Sequence, residues 1–140
     1  MARPKGELTR CGGTWTEARF NSFITSMLRG GQWKWAPISE TLKAARTRRG
    51  FYMCAGCKEE VPTSIKDGRK KVKNVLVDHI APIVDPAKGF TTWDEKINRM
   101  YCEIENLQVL CKMCHDEKTN IERAEATETR RKKKEANEKL

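Results

Sequence analysis

Apolar positions along this chain recur with two periods, and the switches between them mark the elements. In "TWTEARFNSFITSMLRGG" (14–31), Phe20, Phe23, Ile24 and Met27 fall three or four residues apart, which predicts one face of a helix. Thr14 or Thr16 can cap it, and Gly30 and Gly31 can end it. After Pro37, "SETLKAARTRR" (39–49) predicts a second helix with Ser39 as N-cap, Leu42 and Ala45 inward, the arginines outward and Gly50 as its stop. "FYMCAGC" (51–57) reads as an aromatic-rich strand running into a tight cysteine turn, and Asp67-Gly68 as a turn signal. "KNVLVDHI" (73–80) is β-rich and leads into a loop holding Pro82 and Pro86. "TTWDEKINRMY" (91–101) predicts a short helix with Trp93, Ile97, Met100 and Tyr101 on one side. "LQVL" (107–110) predicts a short strand, and from about Lys112 a helix begins that can run far into the tail. Residues 1–12 are polar and expected to be loose, and there is no internal repeat. The mixture points to an α+β chain.

Composition narrows the picture. The 140 residues suit one compact domain with short extensions. With 38% hydrophobic residues and a mean hydropathy of −0.74, the core must be small, and such chains often need a staple. The 28 Lys and Arg against 19 Asp and Glu give a net charge of +9, which favours a polyanionic partner, nucleic acid above all. A merely soluble basic protein is the plainer reading of the same number. The tail carries five consecutive basic residues, Arg130 to Lys134, and reads as an exposed charged helix with Glu128 four residues before Lys132. No apolar run resembles a secretory signal or approaches the roughly 20 residues that span a bilayer, so a cytoplasmic location is expected, with no membrane partner.

In a reducing compartment, paired thiols point to metal rather than to disulfides. Cys54-Ala-Gly-Cys57 and Cys111-Lys-Met-Cys114 are two knuckles of equal spacing, and each turns both sulfurs toward one point. Together they predict a closed tetrahedral thiolate site that suits structural zinc, with an iron–sulfur cluster as a minor alternative. Cys102 is expected to be a small core residue, and Cys11 has no assignment.

The zinc needs neither of the two histidines, His79 and His115. His79 follows Asp78 at the end of an apolar strand, and His115 lies one residue past the second zinc ligand pair. A carboxylate and an imidazole on a divalent ion, with another imidazole nearby, is what phosphodiester hydrolysis would want. Asp78 and His115 would hold the ion, His79 would take a proton from water, Asn106 would orient its ring, and Lys118 would contact a phosphate. Taken singly, each has a plainer use: a structural histidine, a turn or capping asparagine, a solvated lysine.

"VDHIAP" (77–82) and "ENLQVLCKMCHDEKT" (105–119), with "FYMCAGC" and "TTWDEKINRMYC", resemble the HNH endonuclease family over roughly residues 37–122. The resemblance implies a ββα-metal core stapled by zinc, with N-terminal helices and a long charged C-terminal helix. It implies His79 as general base, Asn106 as its orienting residue, and Asp78 and His115 as ligands of a catalytic ion, with 5′-phosphate and 3′-hydroxyl products. Some family members carry a further histidine where this chain has Thr119, so the ion would have two protein ligands, which suits magnesium or manganese. The division expected is an N-terminal helical extension (1–50), a nuclease domain (51–122) and a charged helical tail (123–140), in a host cell's cytoplasm if the chain is phage-encoded.

On this reading the partner is DNA, nicked or cut through both strands, by a monomer or a homodimer. Arg46, Arg48, Arg49, Arg69, Lys70, Lys71 and Lys73, together with Lys118, are expected at the phosphates. Trp33 and Trp35 flank Lys34 and are expected in the core rather than on DNA. The competing reading is a zinc-stapled DNA-binding module without catalysis, which leaves Asp78-His79, Asn106 and His115 unexplained.

Overall fold

A computed structural model describes residues 6–139, which fall into two units meeting between Trp35 and Ala36. The boundary lies well before residue 50, so the second predicted helix belongs with the larger unit.

The first unit opens with an antiparallel pair, β1 (Leu8–Arg10) and β2 (Trp15–Thr16), where a loose segment was expected. Cys11, Gly12 and Gly13 turn the chain with φ of 55°, 64° and 78°. Helix α1 (Glu17–Gly30) follows, and of the two candidate caps Thr16 is used: its hydroxyl accepts from Arg19 N at 3.1 Å. Trp15 meets Phe23 edge to face at 5.3 Å, while the Arg10 and Arg19 guanidinium groups lie over Phe20 and Trp15 at 4.1 and 4.4 Å. Trp33, expected in the core, is 76% exposed.

The second unit begins with α2 (Ala36–Ala45), three residues earlier than predicted, with Pro37 in the first turn where its missing N–H costs nothing. Ser39 is therefore inside the helix, and its hydroxyl donates to Ala36 O rather than capping. The helix also stops sooner. Arg46–Arg48 forms β3, which pairs with β4 (Phe51–Met53) across Gly50 at φ 81°, and β4 pairs with β5 (Glu60–Pro62). Strand pairing has overridden the helical propensity of "ARTRR". A hairpin of β6 (Ser64–Asp67) and β7 (Lys70–Lys73) closes through Gly68 at φ 65°.

The centre of the unit is the antiparallel pair of β8 (Val75–His79) and β9 (Leu107–Cys111), in unbroken register from Val75↔Cys111 to His79↔Leu107. Helix α3 (Trp93–Met100) lies in the connection between them, capped by Thr92, and α4 (Lys112–Glu138) starts directly after β9. Helices α2 and α4 both pack against β9. The buried apolar residues are Val75, Met100, Leu107, Val109 and Leu110 with Cys54 and Cys111, which is a small core, as the composition requires. Asn74 is buried and joins three segments: its Nδ2 donates to Pro62 O, and its Oδ1 and its carbonyl both accept from Lys112 N, the first residue of α4. The tail is helical as predicted, but it is not merely solvated. Thr129 Oγ1 donates to Pro86 O at 2.7 Å and Lys133 Nζ to Lys88 O, strapping α4 to the loop after β8. Among the described residues no helix is long and apolar enough to cross a membrane.

Candidate metal centre and the polar site beside it

The fold gathers the four cysteines from three elements. Cys54 follows β4, Cys57 sits in the turn after it, Cys111 ends β9 and Cys114 lies in the first turn of α4. Their sulfurs all lie within 4.8 Å of one another, so they form a group that can hold a metal ion such as zinc. The knuckle is built by backbone hydrogen bonds: Lys58 N to Cys54 O, Cys54 N to Glu59 O, and Ala55 N to Val109 O, the last tying it to β9. Lys58 takes a left-handed φ of 62° to turn the chain. Gly56 is required by space, since a Cβ there would lie 3.0 Å from both Cβ and Sγ of Cys114.

The thiols titrate as a set. Burial pushes Cys54 up, but backbone N–H groups of Cys111, Cys57 and Gly56 outweigh it and bring the thiol down to about 6; the Cys111 N–H lies 3.3 Å from its sulfur. The hydrogen bond with Cys111, then burial and the neighbouring Cys54 and Cys57 sulfurs, hold Cys114 up at about 12. A dication bound there would supply the positive charge that favours thiolates, and the existing N–H donor is of the kind that supports a bound thiolate.

The second group lies at the far end of β8. Asp78 is opposite Gln108 and His79 opposite Leu107. Gln108 Nε2 donates to Asp78 Oδ2 at 3.0 Å, and the Lys118 ammonium lies 3.1 Å from the same oxygen. Lys118 also donates to His79 O at 2.9 Å and pairs with Glu122. In this structure it bridges α4 to the end of β8. Burial disfavours its charge, but Glu122 and Asp78 more than compensate and raise its pKa. His115, Lys118, Thr119 and Glu122 recur at helical spacing, so His115 shares the α4 face that Lys118 turns to Asp78. The Nδ1 of His115 lies 3.7 Å from its neighbour Asp116.

The ring of His79 is held by a partner the sequence did not reveal. Its Nε2 lies 2.8 Å from Met100 O, and a carbonyl can only accept, so Nε2 donates, and in the neutral ring Nδ1 is the nitrogen with the lone pair. Asn106, expected to orient that ring, pins the backbone beyond it: Oδ1 accepts from Ala81 N at 2.8 Å, Nδ2 donates to Ala81 O at 3.2 Å, and its carbonyl accepts from Ile80 N. Its hydrogen bonds thus reach residues 80 and 81, which follow His79 in the chain.

Of the basic residues, Arg48 is committed to Glu60 at 2.7 Å and to the Phe51 ring at 3.9 Å, while Arg46, Arg49, Arg69, Lys70 and Lys71 are exposed. Sequence reasoning missed Gln108, Glu122, Asn74 and the Met100 carbonyl. Gln108 had a signal, a lone polar residue within "LQVLC"; the carbonyl had none. No protein-family model, no curated protein and no solved structure matches this chain.

Proposed function

We propose that this chain is a metal-dependent endonuclease of the HNH kind, hydrolysing DNA phosphodiester bonds beside a structural zinc. The observation that carries the reading is the Lys118 bridge. It ties Asp78 and the backbone of His79, at the end of the β8–β9 strand pair, to α4, the helix that carries His115 one turn before Lys118. His79 Nδ1 takes the proton from the attacking water, while Met100 O fixes the ring from its other nitrogen. Asn106 holds the chain just after the base, and Gln108 orients the Asp78 carboxylate. A divalent ion, magnesium or manganese, bound by Asp78 and His115 would supply Lewis-acid stabilisation of the leaving oxygen. Lys118 already lies beside Asp78, so an ion held there would bind weakly and exchange freely, unlike one held by four thiolates.

The test is purified protein with supercoiled plasmid across a series of divalent metals, with a chelator control. Nicked or linear product in magnesium or manganese is expected. His79→Ala should lose about 10²–10⁴-fold in rate, the range of a general base, while its zinc content stays at one per chain. Full activity of that variant would remove His79 from the mechanism. Tight DNA binding with no cleavage in any metal would leave the non-catalytic module as the correct reading.

A further inference from the structure

The β6–β7 hairpin stands apart as a two-stranded sheet of its own, pairing with no other strand among the described residues. Its register sets Ser64 opposite Lys73, Ile65 opposite Val72, Lys66 opposite Lys71 and Asp67 opposite Lys70. Strand side chains alternate, so one face carries Ser64, Lys66, Lys71 and Lys73, and the other Ile65, Asp67, Lys70 and Val72. The second face is turned toward the metal centre: Ile65 lines a groove with Asn74, Lys112 and Met113. The first face is therefore turned away from it, with three lysines and no acid.

Lys66 and Lys71 are directly opposed, and like charges in that relation destabilise a strand pair. Among the described residues none of the three lysines makes an ion pair. A short isolated hairpin is marginal to begin with, so a face that repels itself is poor structural economy. An anionic partner removes the penalty. A two-stranded ribbon fits the B-form major groove, which is about 12 Å wide, but not the deep, narrow major groove of A-form RNA.

We infer that the 64–73 ribbon is a docking element for duplex DNA, gripping phosphates through Lys66, Lys71 and Lys73, with Lys70 on the wrong face to take part. This extends the nuclease reading by naming how duplex is held, and it is testable without cleavage. The experiment uses the full-length, zinc-loaded His79→Ala chain, a short fluorescent DNA duplex, no added divalent metal, and a series of salt concentrations.

Each phosphate that is no longer neutralised should lower the magnitude of the negative slope of log K against log salt by about 0.9. Lys71→Gln should therefore lower it by about 0.9, and the triple Lys66, Lys71, Lys73→Gln variant by about 2.7, the sum for three phosphates. Lys70→Gln, which removes the same charge one residue away, should leave the slope unchanged. Equal effects of Lys70→Gln and Lys71→Gln, an unchanged slope in the triple variant, no duplex binding by the parent, or equal weakening on an RNA duplex would each overturn the assignment. Plasmid cleavage by the wild type with an unchanged triple-variant slope sinks the ribbon alone. A lowered slope with a wild type that never cleaves sinks the nuclease alone.

Discussion

Gly56 shows how narrowly single residues decide the metal centre. A methyl group there meets Cys114 at 3.0 Å, so either the knuckle or a ligand must move. Gly56→Ala should cost about 1–3 kcal/mol by overpacking and should release zinc to a colorimetric chelator faster than wild type. Gly68→Ala is the control: its φ of 65° makes alanine strained, but nothing lies within 4 Å, so it should lower the melting temperature while holding zinc as tightly as before. Equal zinc release from both would mean that close approach to Cys114 is not what Gly56 provides. The ligand cysteines were legible because their spacing is itself the signal. The orientation of His79 was not, because its partner is a backbone carbonyl 21 residues away, and carbonyls carry no residue identity. Asn106 was legible as a residue of interest but not in its contact, since an amide beside a loop can satisfy the backbone as readily as a ring.

At the scale of elements, the long α4 helix does two jobs along its length. Its first turns carry Cys114, His115 and Lys118; its later turns strap the loop after β8 through Thr129 and Lys133. Within that loop, Gly89 N and Ala87 N are already satisfied by Asp85, and Arg99 donates to Pro82 O. Ending the chain after Ala126 removes the strap but none of the residues around His79. Trypsin should then cut after Lys88 several-fold faster, with zinc content unchanged; an unaltered cleavage rate would show that the loop's own turns suffice to hold it. The helix itself was readable from its charge spacing. The strap was not, because both of its acceptors are loop carbonyls more than 40 residues away. The same limit explains β1, β2 and β3. Each has two or three residues, too few for an alternating pattern, and each exists only through the strand it pairs with. The longer β8 and β9 were legible because each holds enough apolar residues, three in "VLVDH" and four in "LQVLC", to show as a strand.

For the whole molecule, the balance of core and metal decides stability. Among the described residues, two of the seven buried apolar ones, Cys54 and Cys111, belong to the tetrad, so a metal held there would take the place that a larger core would otherwise fill. Metal affinity in such a site is folding free energy. The proposed nuclease reading adds a second, open metal site, and two classes of metal should then separate. On that reading, brief treatment with EDTA should stop cleavage and leave the far-ultraviolet dichroism unchanged. A mercurial that titrates the thiols should release one zinc per chain and collapse the fold of residues 36–139, and Cys54→Ser should reproduce that collapse without the reagent. The readouts are zinc release, thiol count and dichroism followed together. If the four thiols titrate and zinc leaves while the dichroism persists, the small apolar core alone holds the unit, and the tetrad is an accessory. If EDTA alone unfolds the chain at the concentration that stops cleavage, the proposed division between a closed thiolate site and an open Asp78–His115 site fails.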